Sequence, residues 1–335
     1  MSIKDKLQII LITYNRARLV QRTFEQLFEC SSPIKNYDFL VLDNNSTDNT
    51  EKIVKTWQRD FSNITYIKNK YNVGVTGNIV KAMEFANKDY VWIIGDDDLY
   101  DFSNWNEVET AINNEEKVIC VARYAIPDEE KNNIPSQLFQ LTFITGGIYK
   151  TSLFNDTTIR NVYENIYTLF PYIAPVIQHI NDNGHIYVVD KAICDNGMDL
   201  LARDYSYTRG VKDKENIYIR TRTMSWIVGY CNILSQLKDK KLKEDSIDKA
   251  ILYKDIYGYF DNFYKCMQMY YPNDLFMQFI DVYINISDKH KKQLKKDYLR
   301  NLNRETCDIA QFSFIELVIL LVKKLFKQIY NLEKT

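Results

Sequence analysis

The sequence has almost no net charge: 43 Lys and Arg stand against 44 Asp and Glu, leaving −1 over 335 residues. So balanced a chain exerts no general pull on a polyanion, and no nucleic-acid partner is expected without a local basic patch. No Cys-x-x-Cys pair occurs either. Cys30, Cys120, Cys194, Cys231, Cys266 and Cys307 are widely scattered. That argues against a zinc cluster or a dense disulfide framework, and fits buried free thiols in a reducing compartment. A long apolar run is missing from the N-terminus. In MSIKDKLQIILITYNR the apolar stretch is only Leu7 to Ile12, too short for a signal-peptide core or a membrane span, so a cytoplasmic protein is expected. Internal repeats are lacking, and low complexity is limited to short lysine-rich runs. What the chain does have is apolar bulk. With 46% hydrophobic and 26% charged residues it should fold, as one large domain or a domain with an appendage.

Up to about residue 122 strands and helices alternate. LQIILIT (7–13), YDFLVLD (37–43), ITYIKN (64–69), DYVWIIG (89–95) and KVICVA (117–122) are short apolar runs that read as buried strands. Between them, Leu19, Val20, Phe24, Leu27 and Phe28 recur at helical spacing. So do Ile53, Val54 and Trp57 after an opening at Ser46-Thr47-Asp48, and Ile79, Val80, Met83 and Ala86 after Gly74 and Gly77. This order predicts a doubly wound α/β layer with right-handed crossovers. Residues 123–140 read as a polar loop, 141–150 as a strand, 170–184 as a helix with Pro171 in its first turn, and 185–193 as a further strand. From about 214 the pattern turns all-helical: Trp226, Tyr230, Ile233, Leu234 and Leu237, then Ile256, Phe260, Phe263 and Met267, then 275–286 and 312–330. The expected division is a catalytic layer at 1–212 and a helical C-terminal region at 213–335.

In such sheets ligands bind beyond the C-terminal ends of the strands, near a switch in strand order. The residues placed there are Thr13-Tyr14-Asn15-Arg16, then Asp43-Asn44-Asn45-Ser46-Thr47-Asp48, then Asn69 with Asn72-Val73-Gly74, and last Gly95-Asp96-Asp97-Asp98. Three adjacent carboxylates repel one another unless a cation sits among them or water screens them. Mg²⁺ or Mn²⁺ prefers oxygen ligands, and bridges one or two carboxylates to substrate phosphates. An acidic turn can equally be a solvated one. Asp43 could accept from a pyrimidine imide N–H or a ribose hydroxyl, with Ser46 or Thr47 left to cap the helix.

Together LITYNR, VLDNNSTDNT, NKYNVGVTGN and YVWIIGDDDLY resemble the family 2 glycosyltransferases of GT-A fold, over roughly residues 5–200. The resemblance implies an inverting transferase that uses a nucleotide-diphosphate sugar and Mn²⁺ or Mg²⁺. Thr13, Tyr14, Asn15 and Arg16 match the loop lying along the nucleoside, and Asp43 the base-contacting acid. Ser46 and Asp48 match the pattern that follows it, and Asn45 with Ser46 is expected to bind the nucleotide sugar. Asn72, Gly74 and Asn78 match the segment lining ribose and diphosphate. Gly95 to Asp98 resembles the D-x-D motif, with Gly95 where the first acid often stands, Asp97 and Asp98 as metal ligands, and Asp96 toward the ribose or the metal's water shell.

One departure concerns the general base. Family members usually carry a Glu-Asp pair at the start of the helix before the last strand, and counting back from Gly184 puts it near Tyr172-Ile173. The FPYIAP version resembles a subset of bacterial polysaccharide transferases, the abequosyltransferase-like group. Glu164 and His179 are then the candidates for the base, His179 by its suitable pKa, although a packed histidine on a helix is the plainer reading. Asp195 and Asp199 could instead approach metal or acceptor.

The resemblance implies transfer to a hydroxyl of a glycan or lipid-linked acceptor in surface-polysaccharide (capsule or lipopolysaccharide) synthesis. The lysine-bearing helix at 314–326, preceded by the basic run 289–296, falls short of the roughly 20 apolar residues of a membrane span. It could lie on the inner face of a membrane as a peripheral anchor, pack on the main body, or join a homo-oligomer. Two rivals stand beside the enzyme reading. A nucleotidyltransferase would need glycines and basic residues in the first loop, which T-Y-N-R lacks. A catalytically weak nucleotide-sugar-binding module would fit the missing Glu-Asp pair.

Overall fold

The computed structural model describes residues 2–121, 126–196 and 229–253, together with 285, 291 and 292. The elements at 256–267, 275–286 and 312–330, the basic run 289–296 apart from 291 and 292, and Asp199 lie outside the described residues. The chain forms two compact units, Met1–Ser287 and Asp288–Thr335, and everything below concerns the first. Its strands are β1 (Leu7–Thr13), β2 (Asp38–Asp43), β3 (Ile64–Lys68), β4 (Tyr90–Ile94), β5 (Asp98–Tyr100), β6 (Val118–Cys120), β7 (Gly147–Lys150), β8 (Tyr187–Val188) and β9 (Cys194–Asn196). Among the described residues its helices with both ends given are α1 (Ile3–Lys6), α2 (Ala17–Leu27), α3 (Thr50–Asp60), α4 (Gly74–Phe85), α5 (Trp105–Asn113), α6 (Ile134–Gln140), α7 (Asp156–Glu164), α8 (Ala174–Asn181) and α9 (Lys240–Tyr253), and residues 229–234 are helical as well.

Seven strands form one sheet in the order β3-β2-β1-β4-β7-β6-β8, and β5 pairs with β9 in a separate ribbon. β1 runs parallel to β2 on one side and to β4 on the other. Chain order reverses between β1 and β4, so their C-terminal ends flank the topological switch point. Every residue of β1 is buried, as its near-continuous apolar run requires of a strand covered on both faces. The pleat then divides the side chains. Ile10, Ile12, Leu40, Leu42, Val91 and Ile93 face a core completed by α4 and α8. Leu7, Ile9, Leu11, Phe39, Val41 and Trp92 face one completed by α2, α3 and α5. On that second face Phe24 meets Phe28, Phe39 and Trp57 edge-on at 5.4–5.7 Å between centroids, a geometry that aromatic quadrupoles favour.

Three expectations need correction. Residues 134–140 are helical, not loop: the Asn133 side chain accepts from Ser136 N–H, and Pro135 stands in the first turn, where its missing N–H costs nothing. Within 141–150 only Gly147–Lys150 is strand, and it runs antiparallel to both β4 and β6. Within 185–193 only Tyr187–Val188 pairs, with β6. By contrast, 170–184 is helical as expected, a 3₁₀ turn at Pro171–Ile173 leading into α8.

Tyr230, Ile233, Leu234, Leu237 and Ala250 lie in the same core as α4, Phe139 and Phe170. The described start of the helical region thus packs directly on the sheet layer. No helix among the described residues is long and apolar enough to cross a membrane.

Gly147 opens β7 because of its neighbour two residues on. A Cβ at 147 would fall 2.3 Å from the Tyr149 hydroxyl and 3.0 Å from Leu141 Cδ2, and Tyr149 is only 1% exposed. Gly147→Ala is expected to cost about 1–3 kcal/mol of stability by overpacking, read as a lower urea midpoint with unchanged slope.

Candidate active site

The loops after β1 and β2 are sewn together. Asn15 takes the left-handed conformation at φ 52°, which short polar side chains tolerate. Its N–H donates to Ser46 Oγ at 2.8 Å, and its Oδ1 accepts from Thr47 N–H at 2.7 Å. Asp48 accepts from Ala17 N–H and from Thr50 N–H, both at 2.9 Å, so one carboxylate closes the first turns of α2 and α3. The expected cap at Ser46 or Thr47 is therefore corrected: α3 starts at Thr50 and Asp48 serves it. Asn45 is left-handed as well, at φ 70°, and Tyr14 is exposed beside this loop.

Asp43 is fully buried. Its Oδ1 accepts from Ser46 N–H at 2.8 Å and its Oδ2 from the Tyr66 hydroxyl at 2.5 Å. Burial first, and the adjacent Asp43 carboxylate second, push the Tyr66 hydroxyl's pKa up, so it stays a donor. Asp43 was expected to be free for a ligand; in this structure it holds the turn over β2.

The segment after β3 hangs on an amide network. Asn44 Nδ2 donates to Asn72 Oδ1 at 2.7 Å and to the Gly74 carbonyl at 3.1 Å. Asn44 Oδ1 accepts from Val73 N–H at 3.0 Å and from Asn69 Nδ2 at 3.2 Å. Asn69 also donates to Asn78 Oδ1 at 2.8 Å, and Asn78 donates to the Leu42 carbonyl at 3.1 Å. Asn72 Oδ1 accepts from Gly74 N–H at 2.9 Å. Gly74, at φ 76°, turns the chain into α4 in a conformation glycine adopts without penalty. Asn78, expected to line the ligand, is buried and braces β2 and β3 instead.

The acidic turn sits at the β1–β4 switch point. Thr13 Oγ1 donates to Asp96 Oδ2 at 2.6 Å. Arg16 Nη1 lies 2.7 Å from Asp96 Oδ1 and 3.0 Å from Asp97 Oδ2. Burial raises the Asp96 pKa, and the Arg16 charge opposes that rise. Asp98 is buried and accepts from the Thr145 hydroxyl, which itself accepts from Gly95 N–H at 3.0 Å. With burial first and Asp97 second, the Asp98 pKa is raised well above the usual carboxylate range. Expected beside Asp97 as a second metal ligand, Asp98 points inward instead.

Helix α2 grips the same turn from behind. Thr23 Oγ1 donates to the Asp96 carbonyl at 2.9 Å, Arg22 Nη2 to the Asp97 carbonyl at 3.0 Å, and Gln26 Nε2 to the Asp98 carbonyl at 3.2 Å. Three successive carbonyls are thereby satisfied by one helix face. Arg22, Thr23, Gln26 and Thr145 carry no motif of their own, and Asn44, placed at the strand edge by its motif, has no role there that the sequence predicts. The only sequence signal was polar residues on an otherwise apolar helix stripe or beside a strand end.

Neither candidate base reaches this edge. His179 Nε2 is 3.1 Å from the His185 carbonyl. The ring packs on Gly184, where a Cβ would fall 2.1 Å from it, and burial lowers its pKa. Glu164 follows Tyr163, whose hydroxyl donates to Glu84 at 2.8 Å. Glu84 is next to last in α4, whereas the site borders the first turn of that helix. The Tyr172 hydroxyl donates to the Thr142 carbonyl at 2.7 Å. Asp195, by contrast, stands opposite Leu99 in the β5–β9 ribbon, immediately after the acidic turn, and is exposed.

Carboxylates, amides and an arginine gathered at the switch point agree with the comparisons to known proteins. Residues 8–184 match the family model described as glycosyl transferase family 2. The chain belongs to that family. Among curated relatives, abequosyltransferase RfbV of Salmonella typhimurium is 31% identical over 87 residues, covering 26% of each chain. A GalNAc(5)-diNAcBac-PP-undecaprenol beta-1,3-glucosyltransferase of Campylobacter jejuni is 31% identical over 94 residues, 28% of this chain and 30% of that one. The alignments thus span under a third of either relative's length. Among solved structures, TarS 1–349 of S. aureus in complex with UDP superposes with a TM-score of 0.58 at 14% identity, covering 89% of this chain and 88% of that one. The mannosyltransferase PcManGT of Pyrobaculum calidifontis, in complex with GDP-Man and Mn²⁺, gives 0.52 at 13% identity, covering 89% and 87%. The family 2 fold is therefore GT-A.

Asn44→Ala removes two donations and leaves Val73 N–H without its acceptor. Such a loss is expected to cost about 1–3 kcal/mol, seen as a lower urea midpoint and faster hydrogen exchange at Val73 and Gly74.

Proposed function

We propose that the protein transfers a sugar from a nucleotide-diphosphate donor to a hydroxyl of a glycan or lipid-linked acceptor, with inversion at the anomeric carbon. The observation that carries this is the acidic turn fixed at the switch point, with the Asp97 side chain 20% exposed beside Arg16. Solved neighbours are complexes with UDP, UDP-GlcNAc and GDP-Man, which supports a nucleotide-sugar donor. The relatives' names, an abequosyltransferase and an undecaprenol-linked glucosyltransferase, support an acceptor in bacterial surface-polysaccharide synthesis.

The donor set suits a hard divalent cation. It is all oxygen, and a protein cation already stands among the carboxylates at 2.7 and 3.0 Å. Among the described residues no three His, Cys, Asp or Glu side chains converge into a ready-made cage. Mg²⁺ and Mn²⁺ commonly take one or two carboxylates and complete their shell with substrate phosphates and water. Asp97 is the residue that would hold the ion, with Asp96 and Asp98 supporting it from the buried side. Bound there, the ion supplies Lewis-acid stabilisation of the leaving diphosphate.

The chain's own residues do the rest. The loops Thr13–Arg16 and Asn44–Ser46 flank the nucleoside, and the turn Asn72–Gly74 with the first turn of α4 borders the diphosphate. Backbone N–H groups at a helix start favour anionic oxygens. Asp195 accepts the proton from the acceptor hydroxyl, being the exposed carboxylate that the β5–β9 pairing brings beside the acidic turn. A catalytically weak binding module remains the second reading, on the strength of Tyr172 standing where the family's base is expected.

Asp97→Asn and chelation by EDTA are each expected to lower turnover at least about a hundredfold, with Mn²⁺ restoring only the chelated wild type. Full activity in EDTA would overturn the metal assignment, and absence of nucleoside diphosphate release with every common donor would favour the module. In a separate comparison, Asp195→Asn should reduce kcat with KM little changed. Glu164→Gln and His179→Gln should stay within about twofold of wild type.

A further inference from the structure

Among the described residues Arg16 grips two carboxylates, and the two grips differ. Toward Asp96 the contact is 2.7 Å, to a side chain only 2% exposed that is also bonded by the Thr13 hydroxyl at 2.6 Å. Toward Asp97 it is 3.0 Å, to a side chain 20% exposed. Removing the first contact would strip a buried carboxylate of its counter-charge, a costly step. Releasing the second exposes Asp97 to solvent or to another cation, at the much smaller cost of a partly exposed ion pair. The base of the arginine is fixed. Asn15 is pinned by Ser46 and Thr47, and Arg16 caps α2, accepting Val20 N–H at 3.0 Å. Movement of the guanidinium is thereby confined to its own side-chain torsions, while the carbonyls of Asp96, Asp97 and Asp98 stay gripped by Thr23, Arg22 and Gln26.

We infer that Arg16 is an exchangeable internal counter-ion. It neutralises the acidic turn in the resting protein, keeps its hold on Asp96, and yields Asp97 when a divalent cation enters with the donor. The inference rests on the assignment of Asp97 as the metal-holding residue. It gives Arg16 a positioning role: the turn is kept in its working shape while no metal is present, and free metal is disfavoured until donor phosphates add their own ligands. Two cations competing for one carboxylate are linked reciprocally, so weakening one must strengthen the other.

The test measures Mn²⁺ binding by loss of the free-ion EPR signal, without nucleotide and with UDP or GDP. Proteins compared are wild type, Arg16→Met, Arg16→Lys and Asp97→Asn. Arg16→Met should bind Mn²⁺ alone about tenfold tighter than wild type, Arg16→Lys should fall between, and the gain should shrink once nucleotide is present. Thermal denaturation gives a second readout that tolerates a weakened fold. Without metal Arg16→Met should melt below wild type, and Mn²⁺ should raise its Tm more than it raises that of wild type, because a ligand of the folded state stabilises in proportion to its affinity. Equal or weaker Mn²⁺ binding by Arg16→Met, with wild type binding Mn²⁺ in the presence of nucleotide, overturns the exchange and leaves the metal assignment standing. Failure of wild type to bind Mn²⁺ under any of these conditions overturns the metal assignment and the exchange with it.

Discussion

Three consecutive aspartates on one turn repel one another, and the architecture around them answers that repulsion. Each carboxylate is handled differently. Asp96 is buried against Thr13 and Arg16, Asp98 is buried against Thr145, and only Asp97 keeps a partly open face. Burial favours the neutral acid and an arginine favours the anion. The pKa of Asp98, with no arginine on its carboxylate among the contacts described, is therefore driven furthest up. Burial and the neighbouring carboxylates thus work against charge on Asp98, whereas the Arg16 guanidinium lies against Asp96 and Asp97.

That distribution depends on the backbone of the turn being immobile. Carbonyls that point away from the carboxylates would be left unsatisfied behind the turn, and buried polar groups demand partners. α2 supplies them through Arg22, Thr23 and Gln26. The same helix begins at Arg16 and is tied by Asp48 to α3. One element therefore sets the position of the turn's backbone and of the cation on its side chains. The amide network of Asn44, Asn69 and Asn78 plays the corresponding part on the other side of β1, fixing where the chain after β3 turns into α4.

Much of this was legible in the sequence, for a physical reason. β1, β2 and β4 are covered on both faces, so they read as unbroken apolar runs, and the polar residues after them fall at one edge by topology alone. The motif residues Thr13 to Arg16 and Asp96 to Asp98 are brought together there. What failed depended on long-range pairing. Nothing local marks Gly147–Lys150 as antiparallel, since strand direction is decided by which neighbours it meets. The helix at Ile134–Gln140 was hidden by its polar flanks and Pro135. Asp43 reads as ligand-facing because it ends a strand, and Asn78 because of the family resemblance, yet both are enclosed by partners supplied from other segments, Tyr66 and Asn69. Glu164 is a candidate base as the nearest upstream acid and His179 through the usual pKa of an imidazole, and α7 and α8 carry them elsewhere.

Gly95 stands where the resemblance to the family puts the motif's first acid, and its surroundings leave no room for one. A Cβ at 95 would lie 3.1 Å from Asp98 Oδ2 and 3.2 Å from Asp97 Oδ1. A carboxylate added there would bring a fourth negative group against two others in a site that burial has already made poor at screening charge. Glycine leaves that space to the Asp97 and Asp98 oxygens, and the Gly95 N–H reaches the Thr145 hydroxyl that steadies Asp98. Asp96, one residue later, has its partner Thr13 on β1 instead of on the turn. Shifting one acid by one position moves it from beside the other carboxylates to across the switch point, where an arginine can stand between it and Asp97. The arginine and the glycine thus act together, the one supplying counter-charge to Asp96 and Asp97 and the other keeping a further side chain away from the Asp97 and Asp98 oxygens.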